Sequence, residues 1–192
     1  MMNNSKKLEE IMDLVEYGDY FTINRPRQFG KTTMLFLMKN ELVKREDYLP
    51  IQLNFQGVDR SWLESDNLFA QMFLLHLKKD LKKSHPELLN LIEGVRIATV
   101  EDLSNWISEF VEQVGKKVVL LIDEVDASSN YTAFLSFLGM LRAKYLTRHD
   151  EATFHSIVLA GVHDIKNLKF KLRNHETAQY NSPWNIAVDF EV

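Results

Sequence analysis

Cysteine is absent from this chain of 192 residues, which removes disulfides, thiolate metal sites and cysteine nucleophiles together. Long apolar runs are absent too. Stretches such as Val118–Ile122 fall far short of the ~20 residues that a spanning helix needs, so no membrane association is expected. The first residues, MMNNSKKLEEIMD, carry charge every few positions and lack the apolar segment of a signal peptide. A cytoplasmic location is the expectation. Nor is there an excess of positive charge: 23 Lys and Arg stand against 27 Asp and Glu, a net charge of −4. That balance argues against a dedicated nucleic-acid binder. The six histidines are scattered with no i, i+4 pair beside a carboxylate, so zinc is not expected. Glycine and proline are sparse, at 7 and 4, and no repeat or low-complexity linker divides the chain. Its length suits a single α/β domain.

What is present is an alternation of helical and strand patterns. Leu8, Ile11, Met12 and Val15 recur at helical spacing, with Asn4 or Ser5 to cap the start and Gly18 to suit the exit. Tyr20–Asn24 is β-branched and aromatic and stops before Arg25-Pro26, as proline disfavours helix in the residue before it. A helix is expected from Lys31, a strand over Tyr48–Phe55, and an amphipathic helix over Asn67–Lys83. Thr99-Val100-Glu101-Asp102 resembles a capping box that opens a helix ending at Gly115. Val118–Ile122 is wholly apolar, as in a strand covered on both faces of a parallel sheet. Tyr131–Tyr145 reads as helix, Ser156–Gly161 as a fourth strand and Asn185–Phe190 as a fifth. This alternation predicts an α/β layered fold with a parallel sheet.

Two segments carry chemistry. The first, Arg25-Pro26-Arg27-Gln28-Phe29-Gly30-Lys31-Thr32-Thr33, lies between a strand and a helix. It matches the end of the Walker A pattern G-x-x-x-x-G-K-[ST], with Arg25 in place of the first glycine. Such a loop turns consecutive backbone N–H groups into one concavity at a helix N-terminus, where phosphate is favoured. Gly30 permits close backbone approach, Lys31 reaches the β/γ-phosphates, and the Thr32 hydroxyl ligates Mg²⁺. Arg27, Gln28, Phe29 and Thr33 complete the expected nucleotide contacts. Pro26 has no N–H, but the cradling amides belong to the later residues.

The second segment is the apolar strand ending in Asp123-Glu124-Val125-Asp126, a Walker B arrangement. Asp123 would hold the Mg²⁺ shell and Glu124 would act as general base toward water, with Lys31 stabilising transferred charge. Asp126 reads as a helix N-cap or supporting residue. His163, just past the fourth strand, either senses the γ-phosphate or simply begins a loop; Asp164 is the next choice. Arg142, Arg148 and the lysine runs at 78–83 and 166–173 read first as solvated charges and only second as an arginine finger or a polynucleotide track.

With YFTINRPRQFGKTT, VVLLIDEVD, SIVLAGVHDIKNLK and NSPWNIAVDF in this order, the chain resembles the bacterial AAA-ATPase-like family of the AAA+ superfamily over almost its whole length. The resemblance implies a P-loop NTPase three-layer sandwich, strand order 5-1-4-3-2, with ATP and Mg²⁺ as ligands and an RPRQFGKT loop that is functional. Relatives are often longer, with a helical lid and a restriction-endonuclease-like C-terminal part. Here the expectation is a single domain: an N-terminal helix over 1–18 and a nucleotide-binding core over 19–192, lacking the lid. That predicts either a fragment or a truncated member with weak turnover, whose protein or DNA client acts through the missing region. Two other readings stand beside ATP hydrolysis. One is a nucleotide-dependent interaction module with little turnover; the other, a phosphotransferase with a small acceptor, finds no acceptor-binding element.

Overall fold

The computed structural model describes residues 2–24, 30–125, 128, 131–161 and 188–191. Five parallel strands form one sheet: β1 (Tyr20–Asn24), β2 (Tyr48–Asn54), β3 (Lys117–Asp123), β4 (Ser156–Gly161) and β5 (Val188–Glu191). Their order is β2-β3-β4-β1-β5, which read from the other edge is 5-1-4-3-2. The helices are α1 (Met2–Tyr17), α2 (Lys31–Val43), α3 (Asp66–Ser84), α4 (Val100–Val114) and α5 (Thr132–Leu146).

Side chains alternate across a strand, and in β3 both faces are buried. Val118, Leu120 and Ile122 join the core with α3, α4 and α5, whereas Val119 and Leu121 join the core with α1 and α2. β4 divides likewise, Ile157 and Leu159 from Val158 and Ala160. The sheet is thus the middle of three layers. On the α3–α5 side the core is aromatic: the rings of Phe69 and Phe137 are 5.0 Å apart and those of Phe55 and Phe134 are 6.1 Å apart.

Within the described residues β2 pairs only with β3. An unpaired edge invites further strands unless something occupies its donors. Here Asp80 of α3 accepts from the Gln52 backbone N–H at 3.1 Å and from Lys39 Nζ of α2 at 2.6 Å. One carboxylate therefore ties both helical layers across the edge.

Local signals place most boundaries. Tyr17 ends α1 and Gly18 follows at φ 76°. There a Cβ would meet the His155 carbonyl oxygen at 3.1 Å, so close approach as well as conformation calls for glycine. Thr99 Oγ1 accepts from Asp102 N at 3.0 Å, while Asp102 Oδ2 accepts from Thr99 N at 3.0 Å, a complete capping box. Backbone N–H donation from Ala98, then the bonds with Thr99, hold the Asp102 carboxyl below its ordinary pKa. Thr99→Ala is expected to destabilise the protein by about 1 kcal/mol, read as a lower urea midpoint at unchanged m-value.

Some boundaries differ from the sequence reading. The first helix begins at Met2, ahead of the expected Asn4 or Ser5 cap. β2 ends at Asn54, one residue short of the expected Phe55, which joins the same core as Leu49, Ile51 and Leu53 and donates its N–H to the Asp123 carbonyl at 3.1 Å. The last strand is Val188–Glu191, and 185–187 lie outside the described residues. Two short 3₁₀ helices, Arg60–Leu63 and Pro86–Leu91, have no counterpart in the periodicity. Arg142, read as a solvated charge, is half-buried, with Nε enclosed and unpartnered among the described residues.

Two half-buried histidines make stability sensitive to acid. Burial lowers the pKa of His76, helped by Lys79, and burial lowers that of His155, helped by Lys117. Below the ordinary value of 6.5 the unfolded chain takes up protons that the folded chain resists, so stability is lost as pH falls. The urea midpoint is expected to drop between pH 7.5 and 5.5, and the drop to shrink in a His76→Gln/His155→Gln variant.

Candidate functional site

β1 is flanked by β4 and β5, and its last residue Asn24 pairs with Gly161 at the end of β4. The Walker-like segment follows Asn24 in the sequence. Arg25, Pro26, Arg27, Gln28 and Phe29 lie outside the described residues, and the description resumes at Gly30. Gly30 has φ 81° and ψ 18°, a left-handed conformation that glycine adopts without a Cβ clash. It precedes α2 directly and accepts from Met34 N at 2.8 Å.

Lys31 is the first residue of α2 and is 5% exposed. Its ammonium is enclosed, with no hydrogen-bond partner among the described residues. A buried charge is ordinarily paired, so this arrangement marks a position that an anion would satisfy. Thr32 follows, and Oγ1 donates to Asp123 Oδ2 at 2.7 Å across 91 positions of sequence. Thr33 is exposed on the same first turn.

Asp123 ends β3, fully buried, and stands opposite Asn54 in the register with β2. Both of its oxygens are engaged, Oδ2 by Thr32 and Oδ1 by the Glu124 N–H at 2.9 Å. Glu124 is half-buried at φ 56°, the one positive φ outside glycine among the described residues. Non-glycine residues in that region are strained, and such strain gathers at functional positions. This positive φ falls directly after the strand, where the Asp123 carboxylate stands beside the start of α2.

Of the residues chosen from sequence, the structure brings together Gly30, Lys31, Thr32, Thr33, Asp123 and Glu124. His163, Asp164 and Asp126 lie outside the described residues. Asn54, beside Asp123 at the same sheet end, was not singled out from sequence. Its signal was the polar end of an alternating strand, and its Oδ1 accepts from Gln56 N at 2.7 Å. No group of three or more His, Cys, Asp or Glu able to hold a metal occurs among the described residues. Nor is any helix among them long and apolar enough to cross a membrane.

A five-stranded parallel sheet with a left-handed glycine, a buried lysine and a threonine–aspartate link at one end defines an α/β protein of P-loop type. The chain belongs to the AAA-like domain family, which matches residues 3–189. No curated protein matches it. Among solved structures it is similar to C. elegans PCH-2, with TM-score 0.50 and 13% identity over 100% of this chain and 42% of that one. It also aligns with a chain of Drosophila ORC bound to AT-rich DNA and Cdc6, with TM-score 0.47 and 14% identity over 83% of this chain and 24% of that one. The chain thus spans less than half the length of these structural relatives.

Proposed function

We propose that this domain binds ATP with Mg²⁺ at the end of β1 and β3 and hydrolyses the γ-phosphoryl bond. The observation that carries the reading is the 2.7 Å link from Thr32 Oγ1 to Asp123 Oδ2 beside the enclosed, unpartnered Lys31 ammonium. That donor set fits the proposed ligands. A hydroxyl and a carboxylate oxygen already in contact are hard donors suited to Mg²⁺, which takes few protein ligands and keeps phosphates and waters. The lysine suits the phosphates themselves.

In this reading residues 1–18 form a flanking helix and the nucleotide-binding core begins at 19. Gly30 and the loop residues Arg27, Gln28, Phe29 and Thr33 approach the phosphates, Lys31 carries positive charge to the β/γ-phosphates, and Thr32 with Asp123 holds the metal. Bound Mg²⁺ would neutralise charge on the phosphate oxygens. Glu124 takes a proton from the attacking water as its oxygen bonds to the γ-phosphorus and the bridging bond to ADP breaks. His163 supplies a polar contact to the γ-phosphate. Such turnover drives work on a protein or DNA client in the cytoplasm, and that client is part of the proposal.

The test is ATP binding and phosphate release by the folded wild-type chain with Mg²⁺. Binding and release together support the full reading. Binding without release leaves a nucleotide-dependent interaction module, and absence of binding sinks both.

A further inference from the structure

At the opposite end of the sheet, where the strands begin, lies a second concavity of about 610 Å³. Its walls come from four separate connections: the α1–β1 turn, the residue before β2, the α4–β3 turn and the segment between α5 and β4. The volume falls within the ~300–1,000 Å³ of small-molecule sites. Lys116, Lys117 and Arg148 line it with Asp47 the one carboxylate among its described residues. Lys117 is paired to Asp47 at 3.4 Å. Neither Lys116 nor Arg148 forms an ion pair among the described residues, although Lys116 lies close enough to Glu87 to act on its carboxyl.

Arg148 is held in place. Its guanidinium carbon stands 3.9 Å from the Tyr145 ring centroid, and Nη1 donates to the Tyr145 carbonyl at 2.8 Å. A fork fixed in this way loses little freedom when its remaining N–H groups meet an oxyanion. On the same wall His155 has Nε2 enclosed with no partner among the described residues, and the half-buried Val111 and Ala152 with the exposed Tyr17 add an apolar surface. The cavity therefore combines two cations outside any ion pair among the described residues, one of them rigid, with an apolar wall.

We propose that this cavity is a binding site for small organic phosphates, separate from the nucleotide site, with Lys116 and Arg148 as the anion contacts. The ester group lies on the apolar wall, and free phosphate shares the same anion contacts with less affinity. Isothermal titration of the full chain with phenyl phosphate and with inorganic phosphate tests it, using wild type, Lys116→Ala/Arg148→Ala and Lys31→Ala. Both substitutions in the first variant are at the surface, and its circular dichroism is compared with wild type. The expected result is saturable phenyl phosphate binding that weakens at least ~10-fold in the double variant, the loss of two charge-assisted contacts, and persists in Lys31→Ala. Equal affinity for both probes keeps the anion site and identifies inorganic phosphate as its ligand. No saturable binding of either probe overturns the proposal. So does binding that survives in the double variant, or binding that disappears in Lys31→Ala.

Discussion

Lys31→Met is expected to weaken ATP binding by at least ~100-fold while raising the thermal midpoint of the nucleotide-free protein. The two effects share one cause. The Lys31 ammonium is enclosed at 5% exposure with no hydrogen-bond partner among the described residues, and an uncompensated buried charge opposes folding. Methionine has similar length and helix propensity and removes that cost, so a gain of about 1 kcal/mol, or some 2–4 °C, is expected. Toward ATP the same change removes a charge-assisted contact with phosphate, and ~100-fold corresponds to ~2.7 kcal/mol. Thermal unfolding with and without Mg-ATP measures both at once. Unchanged affinity would remove Lys31 from the site, and a lower midpoint without nucleotide would mean that its ammonium is satisfied in the folded state.

Glu124→Gln is expected to cut phosphate release by roughly 10²–10⁴-fold, the range for loss of a general base, with ATP affinity kept within a few-fold. The side-chain amide cannot accept the proton, whereas the features that hold the strand end are not in this side chain. The Glu124 N–H bond to Asp123 Oδ1 is a backbone contact and survives the change. The left-handed φ of 56° burdens glutamine as it does glutamate, so stability should stay within about 0.5 kcal/mol. Single-turnover release measured beside equilibrium binding separates the two quantities. Equal loss of both would make Glu124 a binding residue, and loss of neither would place the base elsewhere.

These two residues carry parallel costs in the same corner of the fold. Lys31 brings a charge that stability alone would not select, and Glu124 holds a backbone conformation that stability alone would not select. Both strains sit within the short path linked by Thr32 and Asp123. Local rules broken together in this way are what the proposed site would require where chemistry is needed.

The sequence by itself determined the layers and pointed to most of the residues that gather at the candidate site. The apolar stretches Val118–Ile122 of β3 and Ile157–Ala160 of β4 pointed to burial on both faces, and the turn residues Gly18 and Gly115 with the Thr99 box marked helix ends by local chemistry. Gly30-Lys31-Thr32 and Asp123-Glu124 were legible because glycine, lysine, hydroxyl and carboxylate at strand ends have few common uses. Tertiary structure alone decided the rest. That Thr32 touches Asp123 depends on β1 and β3 lying with β4 between them, a long-range pairing that no local pattern encodes. The enclosure of Lys31 and the unusual φ of Glu124 arise from the same packing. Likewise Arg148 reads as a solvated charge in sequence, and it shares a cavity with Lys116 only because the beginnings of the parallel strands gather their connections at one end of the sheet.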